Sequence, residues 1–296
     1  MARYSTYRRR RTPFGRRKWG ARRSFRRYGN RRRGRLGRRY GRKRRSKRST
    51  LSPYSNKTDV MRGAHNSSDN PTTAISAGGA SAPNTLIMFS PTARARVNWT
   101  NPGAPNLPHA RFAQQVYMTG YKERVSVQAS APFLWRRIVF WSSHRIPNAI
   151  GPKKGGGDAS PAAFYTRQMT PMENTLELRD LVFQGIDGMD YDARTLLIAP
   201  LNHAAIDVQM DKTYNMNSIG GNMPRIQNKK HFYRGGKMIY ADTETGNSNA
   251  SSPWSTHSRK SRGNMYILDI FGDNGFSDSK TQVGKFQTEG RLYWSE

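Results

Sequence analysis

Tyr121–Ala129 reads YKERVSVQA and, three residues further on, Phe133–Ser142 reads FLWRRIVFWS. The first stretch alternates: Tyr121, Glu123, Val125, Val127 and Ala129 fall on one side of an extended chain, and Lys122, Arg124, Ser126 and Gln128 on the other. Successive β side chains point to opposite faces, so this is a strand with one covered and one wet face. The second stretch is apolar on both faces apart from Arg136 and Arg137, which places it centrally in a sheet. As strand neighbours the two arginines point opposite ways, so one is expected to face the core and to need a partner there.

Working outward, Thr85–Ser90 (TLIMFS), closed by Pro91, has the length of a buried strand, and Arg94 and Arg96 follow at period two. Strand-like runs recur at Thr195–Ile198, Ala205–Met210, Lys237–Ala241, Met265–Phe271 (MYILDIF) and Lys285–Trp294. Between them lie turn-rich segments: Pro102 to Pro108, Ile150–Pro161, Asn215–Asn222 and Thr245–Pro253. Leu51–Pro83 is polar and broken by prolines and glycines, with at most one short strand near Val60. Glu173–Phe183 is the best helix candidate. About eight strands with long loops and almost no helix predict an all-β domain over Leu51–Glu296, an eight-stranded jelly-roll β-sandwich.

Residues 1–50 are of another kind. They hold 24 of the chain's 51 lysines and arginines and no acidic residue; the remainder has 27 basic against 19 acidic residues, a net +8 out of +32. Such repulsion, with glycines interleaved, predicts a disordered arm that condenses on a polyanion. Arginine outnumbers lysine there by 21 to 3, and its planar fork suits phosphate oxygens and stacks on bases. The expected DNA-binding residues are Arg8, Arg9, Arg10, Arg11, Arg16, Arg17, Lys18, Trp19, Arg22, Arg23, Arg26, Arg27, Arg31, Arg32, Arg33, Arg38 and Arg39. Aromatics such as Tyr7, Phe14, Trp19 and Tyr28 punctuate the blocks, and base stacking on them favours single strands over duplex. Arg42, Lys43, Arg44, Arg45, Lys47 and Arg48 also read as a nuclear import signal. Arg94 and Arg96 are expected on a second basic surface lining the inside of an assembled shell.

Several chemistries find no support. Without cysteine there are no disulfides or thiolate metal sites. Gly155–Gly157 lack the Lys-Ser/Thr of a phosphate loop, and no GxSxG or HExxH occurs. Asp187, Asp190 and Asp192 (DGMDYD) miss the calcium-loop spacing and read as a surface turn or subunit contact. The six histidines are scattered. Neither an enzyme nor a cofactor or metal is expected. No secretory signal or eighteen-residue apolar run is found, so the expectation is a soluble protein without membrane insertion, and the Asn-x-Ser/Thr triplets are chance matches.

An arginine-rich arm joined to a cysteine-free domain of this size resembles the capsid proteins of small circular single-stranded DNA viruses. Arg179–Asn215 is similar to a genomovirus and geminivirus region in which an "fqG…gxD" turn precedes a strand ending in D-K-T, matched by Gly185, Asp190, Asp211, Lys212 and Thr213. Gly236–Tyr240 with Asp242 and Glu244, and Gly263–Phe271, also look like genomovirus segments, with departures at Ala241 and Asn264. Circovirus coat proteins share the overall plan. The resemblance implies a jelly-roll subunit, an icosahedral shell of about sixty copies, an interior arm on single-stranded DNA, a host import receptor, and a life in the virion and host nucleus. The alternative is a cellular ribosomal or chromatin-type nucleic-acid binder with a basic tail; a nuclease would need a catalytic constellation that the sequence lacks.

Overall fold

Two large sheets account for most of the strands that the sequence marks and for several that it hides, with a small two-stranded sheet beside them. The structure, a computed structural model, describes residues 56–65, 70–79, 84–96, 109–146, 149–155, 164–172, 175–217, 225–245, 248–273 and 279–296. In chain order the strands are β1 (Asn56–Ala64), β2 (Thr73–Ala77), β3 (Thr85–Phe89), β4 (Gln115–Ala129), β5 (Phe133–Ser142), β6 (Lys153–Gly155) and β7 (Phe164–Gln168). After the helix α1 (Leu176–Val182) come β8 (Asp207–Met216), β9 (Arg225–Arg234), β10 (Lys237–Ile239), β11 (Thr243–Thr245), β12 (Ser248–Ala250), β13 (Asn264–Gly272) and β14 (Thr281–Ser295).

Eight of these strands form the sandwich: β1, β3, β4, β5, β8, β9, β13 and β14. Numbered one to eight along the chain, the first sheet pairs them 1-8-3-6 (β1-β14-β4-β9) and the second 2-7-4-5 (β3-β13-β5-β8), every pair antiparallel. That double Greek key is a jelly roll. The first sheet is widened by β10 beside β4, by β7 and β6 beyond β1, and by β2, which takes over from β1 along the other half of the long β14. β11 and β12 pair with each other.

Burial follows the alternation. β4 buries Tyr121, Glu123, Val125, Val127 and Ala129 and exposes Lys122 and Arg124. Between the sheets lie Met61, Tyr121, Val127, Phe286 and Leu292 from the first and Phe89, Trp135, Val139, Trp141 and Ile267 from the second. The second sheet is covered on its far face too: Leu86, Ile138, Phe140, Leu268 and Ile270 pack against Leu178 and Val182 of α1 and against Leu196 and Leu197. All nine residues of β13 are therefore buried. Double coverage explains why FLWRRIVFWS is apolar on both sides, and why both its arginines are buried where the sequence led us to expect one.

Arg136 points to the covered far face. Its Nε and Nη2 donate to the Asp211 carboxylate at 2.9 and 2.6 Å, and its Nη1 donates to the carbonyls of Leu196 and Ala199 at 2.8 and 2.7 Å. Those carbonyls lie in and just after Thr195–Ile198, which is a turn and not the expected strand: the Ile198 and Ala199 amides both donate back to Thr195 O. Its leucines reach the core by capping a sheet face. The expected helix is present but shorter, with Leu178 and Val182 buried one turn apart. Among the described residues no helix is long and apolar enough to cross a membrane.

Strands covered on both faces open only with the whole domain. In hydrogen exchange, the amides of β5 and β13 should be the slowest in the protein, and those of β11 and β12 among the fastest. Fast exchange in β13 would contradict the layered arrangement.

Candidate nucleic-acid interface

The expected DNA-binding residues of the arm, Arg8 to Arg39, and the import segment Arg42–Arg48 lie outside the described residues. Arg94 and Arg96 lie within them, and the structure corrects the expectation for Arg94. Residues 91–95 form a turn and irregular chain, so strand alternation does not apply. Arg94 is 2% exposed and belongs to no surface. Its guanidinium pairs with Asp59, donates to His109 O at 3.1 Å and lies 4.5 Å from the Tyr165 ring. Arg96 is half-buried; it forms a bridge with Arg111, and its amide donates to Ser251 Oγ at 2.5 Å.

Arg94 is one of a set of arginines used inside the domain. Arg111 is gripped by the Asp242 carboxylate at 2.7 and 2.9 Å and lies 3.7 Å from the Tyr240 ring. Its donors outweigh the cost of burying Asp242 and hold that carboxyl below its usual range. Deeper still, Arg137, Arg167, Glu123 and Asp269 meet between the sheets with no exposed side-chain area. Arg137 and Asp269 are directly opposed on β5 and β13, joined by Nε to Oδ1 at 2.6 Å and Nη2 to Oδ2 at 2.8 Å. Arg137 Nη1 reaches across to Glu123 Oε2 on β4 at 2.6 Å. Arg167 on β7 donates to Glu123 Oε1 at 3.1 Å and to Asp269 Oδ2 at 3.4 Å. Thr288 and the Trp135 indole donate to the remaining acceptor sites at 2.6 and 2.8 Å.

Two positive and two negative charges cancel, and every carboxylate oxygen accepts a hydrogen bond. Burial alone would raise the Glu123 pKa, but Arg137 and Arg167 overcome it and hold the group below its ordinary value. Burial likewise opposes the charge on Arg137, and Asp269 and Glu123 reverse that, so its pKa is raised. His231 stacks on Tyr233 with ring centroids 5.9 Å apart; burial, then Arg137, pushes it down to about 4.

The residues behind the family resemblance have structural duties. Asp211 holds Arg136, and Asp242 holds Arg111. Gly185 has φ +104°, and a Cβ there would stand 2.6 Å from that of Asp190, whose carboxylate accepts from the Ile186 amide at 2.8 Å. Asp187 pairs with Arg179 at 2.6 Å and Asp192 accepts from the Arg194 amide, so the aspartate run is a turn. His144 and His257 bring their rings within 5.7 Å, a proximity hidden by their separation in sequence. Among the described residues no group of three acidic or histidine side chains could hold a metal ion.

No family model matches the chain, and no curated protein matches it in sequence. Among solved structures it is similar to the VP1 pentamer of human polyomavirus 6, at 8% identity over 83% of this chain and 95% of that one, with a TM-score of 0.18. At that score the likeness bears no weight, and the fold assignment rests on the strand pairing alone.

Breaking the central cluster should cost about 3–5 kcal/mol for Arg137→Met or Glu123→Gln, because each leaves a buried charge unpaired; chemical denaturation of the unassembled protein measures it. For His231 the sign follows from its depressed value. Between about pH 4 and 6.5 the unfolded chain holds more protons than the folded one, so stability should fall as pH is lowered through that window. His231→Gln should flatten the slope between pH 4.5 and 6.5, and an unchanged slope would remove His231 from the account.

Proposed function

We propose that this chain is the capsid protein of a small virus with a circular single-stranded DNA genome, genomovirus-like in its later β-domain segments. Copies assemble into an icosahedral shell of about sixty subunits, and the arginine-rich arm gathers the DNA inside. The observation that carries this reading is the charge partition: 24 cations and no acid in residues 1–50, ahead of a domain with jelly-roll pairing. Fold alone does not assign function; the composition of the arm supplies the rest, and the sequence segments support the fold. Arginine blocks meet phosphates while aromatics stack on any base, a mode that reads no sequence. Sixty arms bring roughly 1,400 positive charges, the scale of the phosphates in a genome of a few thousand nucleotides. Arg42–Arg48 serves as the address for a host import receptor.

Purified protein should form small uniform shells by negative-stain microscopy and bind oligonucleotide single strands with affinity that falls steeply as salt rises. Removal of Met1–Thr50 should weaken binding at least about 100-fold at physiological salt and remove most of the salt slope. Dispersed monomers at every protein and salt concentration, or a marked preference for one DNA sequence over its scrambled control, would count against the proposal.

A further inference from the structure

The first sheet has one face turned to the core and one turned outward, and the outward face is strongly basic. Along β1, β4, β9 and β14 it carries seven cations and one acid, Glu289. That is a net of +6 from four strands, out of +8 for all of Leu51–Glu296. The register sharpens the pattern. Lys122 stands directly opposite Arg291 with no acid on its rung, while Arg124 stands between Lys230 on β9 and the face's one acid, Glu289, on β14, with Arg62 beyond it. These are rungs on neighbouring strands about 4.8 Å apart, and the two rungs are separated along β4 by about 7 Å. Like charges directly opposed across strands are destabilising. An isolated subunit carries this repulsion on the Lys122–Arg291 rung, and on the other rung one acid stands among three cations, so an anionic chain laid across the face is favoured by both.

The same face offers an aromatic surface. Phe232, opposite Lys122, is 56% exposed. Its ring lies over Gly120, where a Cβ would come within 2.6 Å of it, so the backbone beneath fixes the ring in place. A groove lined by Val60, Arg62, Arg124, Lys230, Gln287 and Glu289 lies on the same sheet.

We infer that this outer face of the first sheet, with Lys122, Arg124, Lys230 and Arg291 at its centre, is a second binding surface for single-stranded nucleic acid, separate from the arm. The cations take successive phosphates and Phe232 stacks on a base. An exposed ring among cations fits a polyanion that has flat bases, which favours nucleic acid over a sulfated polysaccharide. The inference rests on the reading of the protein as a DNA-packaging one and assigns part of that task to the folded domain.

The test uses the full chain and a labelled oligothymidylate, with binding followed by fluorescence anisotropy as salt is varied. A face variant carries Lys122→Gln, Arg124→Gln, Lys230→Gln and Arg291→Gln. A control variant loses the same charge at the exposed positions Arg194, Lys237, Arg259 and Lys260. The face variant should lower the salt slope by about 2 to 3, at about 0.7 per lost phosphate contact, and the control by less than about 1. The pair Arg124→Gln with Lys230→Gln, which removes one rung, should give about half the effect. The pair Lys122→Gln with Arg291→Gln removes opposed like charges from a rung without an acid, so it should not melt at a lower temperature than the wild type. Equal slopes in the face and control variants, whether both reduced or both unchanged, would overturn the inference and leave DNA binding to the arm. A face variant that loses heparin binding while its DNA slope is unchanged would also overturn it and give the surface to a sulfated polysaccharide. Wild-type protein that binds no single strand would instead remove the packaging reading itself.

Discussion

The neutral cluster of Arg137, Arg167, Glu123 and Asp269 is the constraint to which the sandwich is fitted. Burying an ion costs several kcal/mol even after relaxation, and that is offset only when geometry and hydrogen bonding are complete. Here Glu123, Thr288 and Arg167 come from the first sheet, and Arg137, Asp269 and Trp135 from the second, so completeness requires the two sheets to dock in one relation. Apolar packing tolerates small shifts between layers, whereas a charge deprived of its partner does not. The cluster therefore contributes less to net stability than to the choice of one arrangement over its neighbours.

Arg136 extends the constraint through the sheet. A one-residue slip of β5 would exchange its two faces, sending Arg136 toward Glu123 and Arg137 toward Asp211. Each site is shaped for its own occupant: the inner one presents two carboxylates and the Trp135 ring, the outer one a single carboxylate and two turn carbonyls. A slip would also misplace Trp135 and Trp141. The register of the central strand is thus set by polar partners on both faces together with the apolar pattern.

Much of this plan could be read from the sequence wherever burial imposes a pattern. Phe133–Ser142 is a strand over the whole expected span, and the alternating faces of Tyr121–Ala129 are those observed, because a covered face must be apolar. β9 was invisible for the converse reason: in RIQNKKHFYR only Tyr233 is fully buried, so the strand has no hydrophobic period to detect. β1 and β2 were nearly lost in a polar segment because their cores are short and their outer faces wet. Period two at Arg94 and Arg96 does not mark extended chain, because the turn after Ser90 directs Arg94 onto Asp59. The partners of the buried arginines were out of reach, since Glu123 and Asp269 are 146 positions apart and only the closed fold brings them together. The positions that carry the family resemblance, Gly185, Asp190, Asp211 and Asp242, prove to hold turns and buried arginines, so the resemblance speaks chiefly to the fold.

The same bookkeeping separates two populations of cation. Arg94, Arg111, Arg136, Arg137 and Arg167 are matched inside the domain by Asp59, Asp242, Asp211, Glu123 and Asp269, so together they add nothing to the field outside. The +8 of Leu51–Glu296 must then arise from the other charges, and most of it stands on one sheet face. β1, which leads out of the arm in sequence, is a strand of that same sheet. Arginine serves both populations because its fork can be satisfied by a carboxylate in a dry core or by a phosphate in water. What distinguishes them is the surroundings: in the core each arginine is matched by an acid, whereas on the outward face of the first sheet Glu289 is the one acid among seven cations.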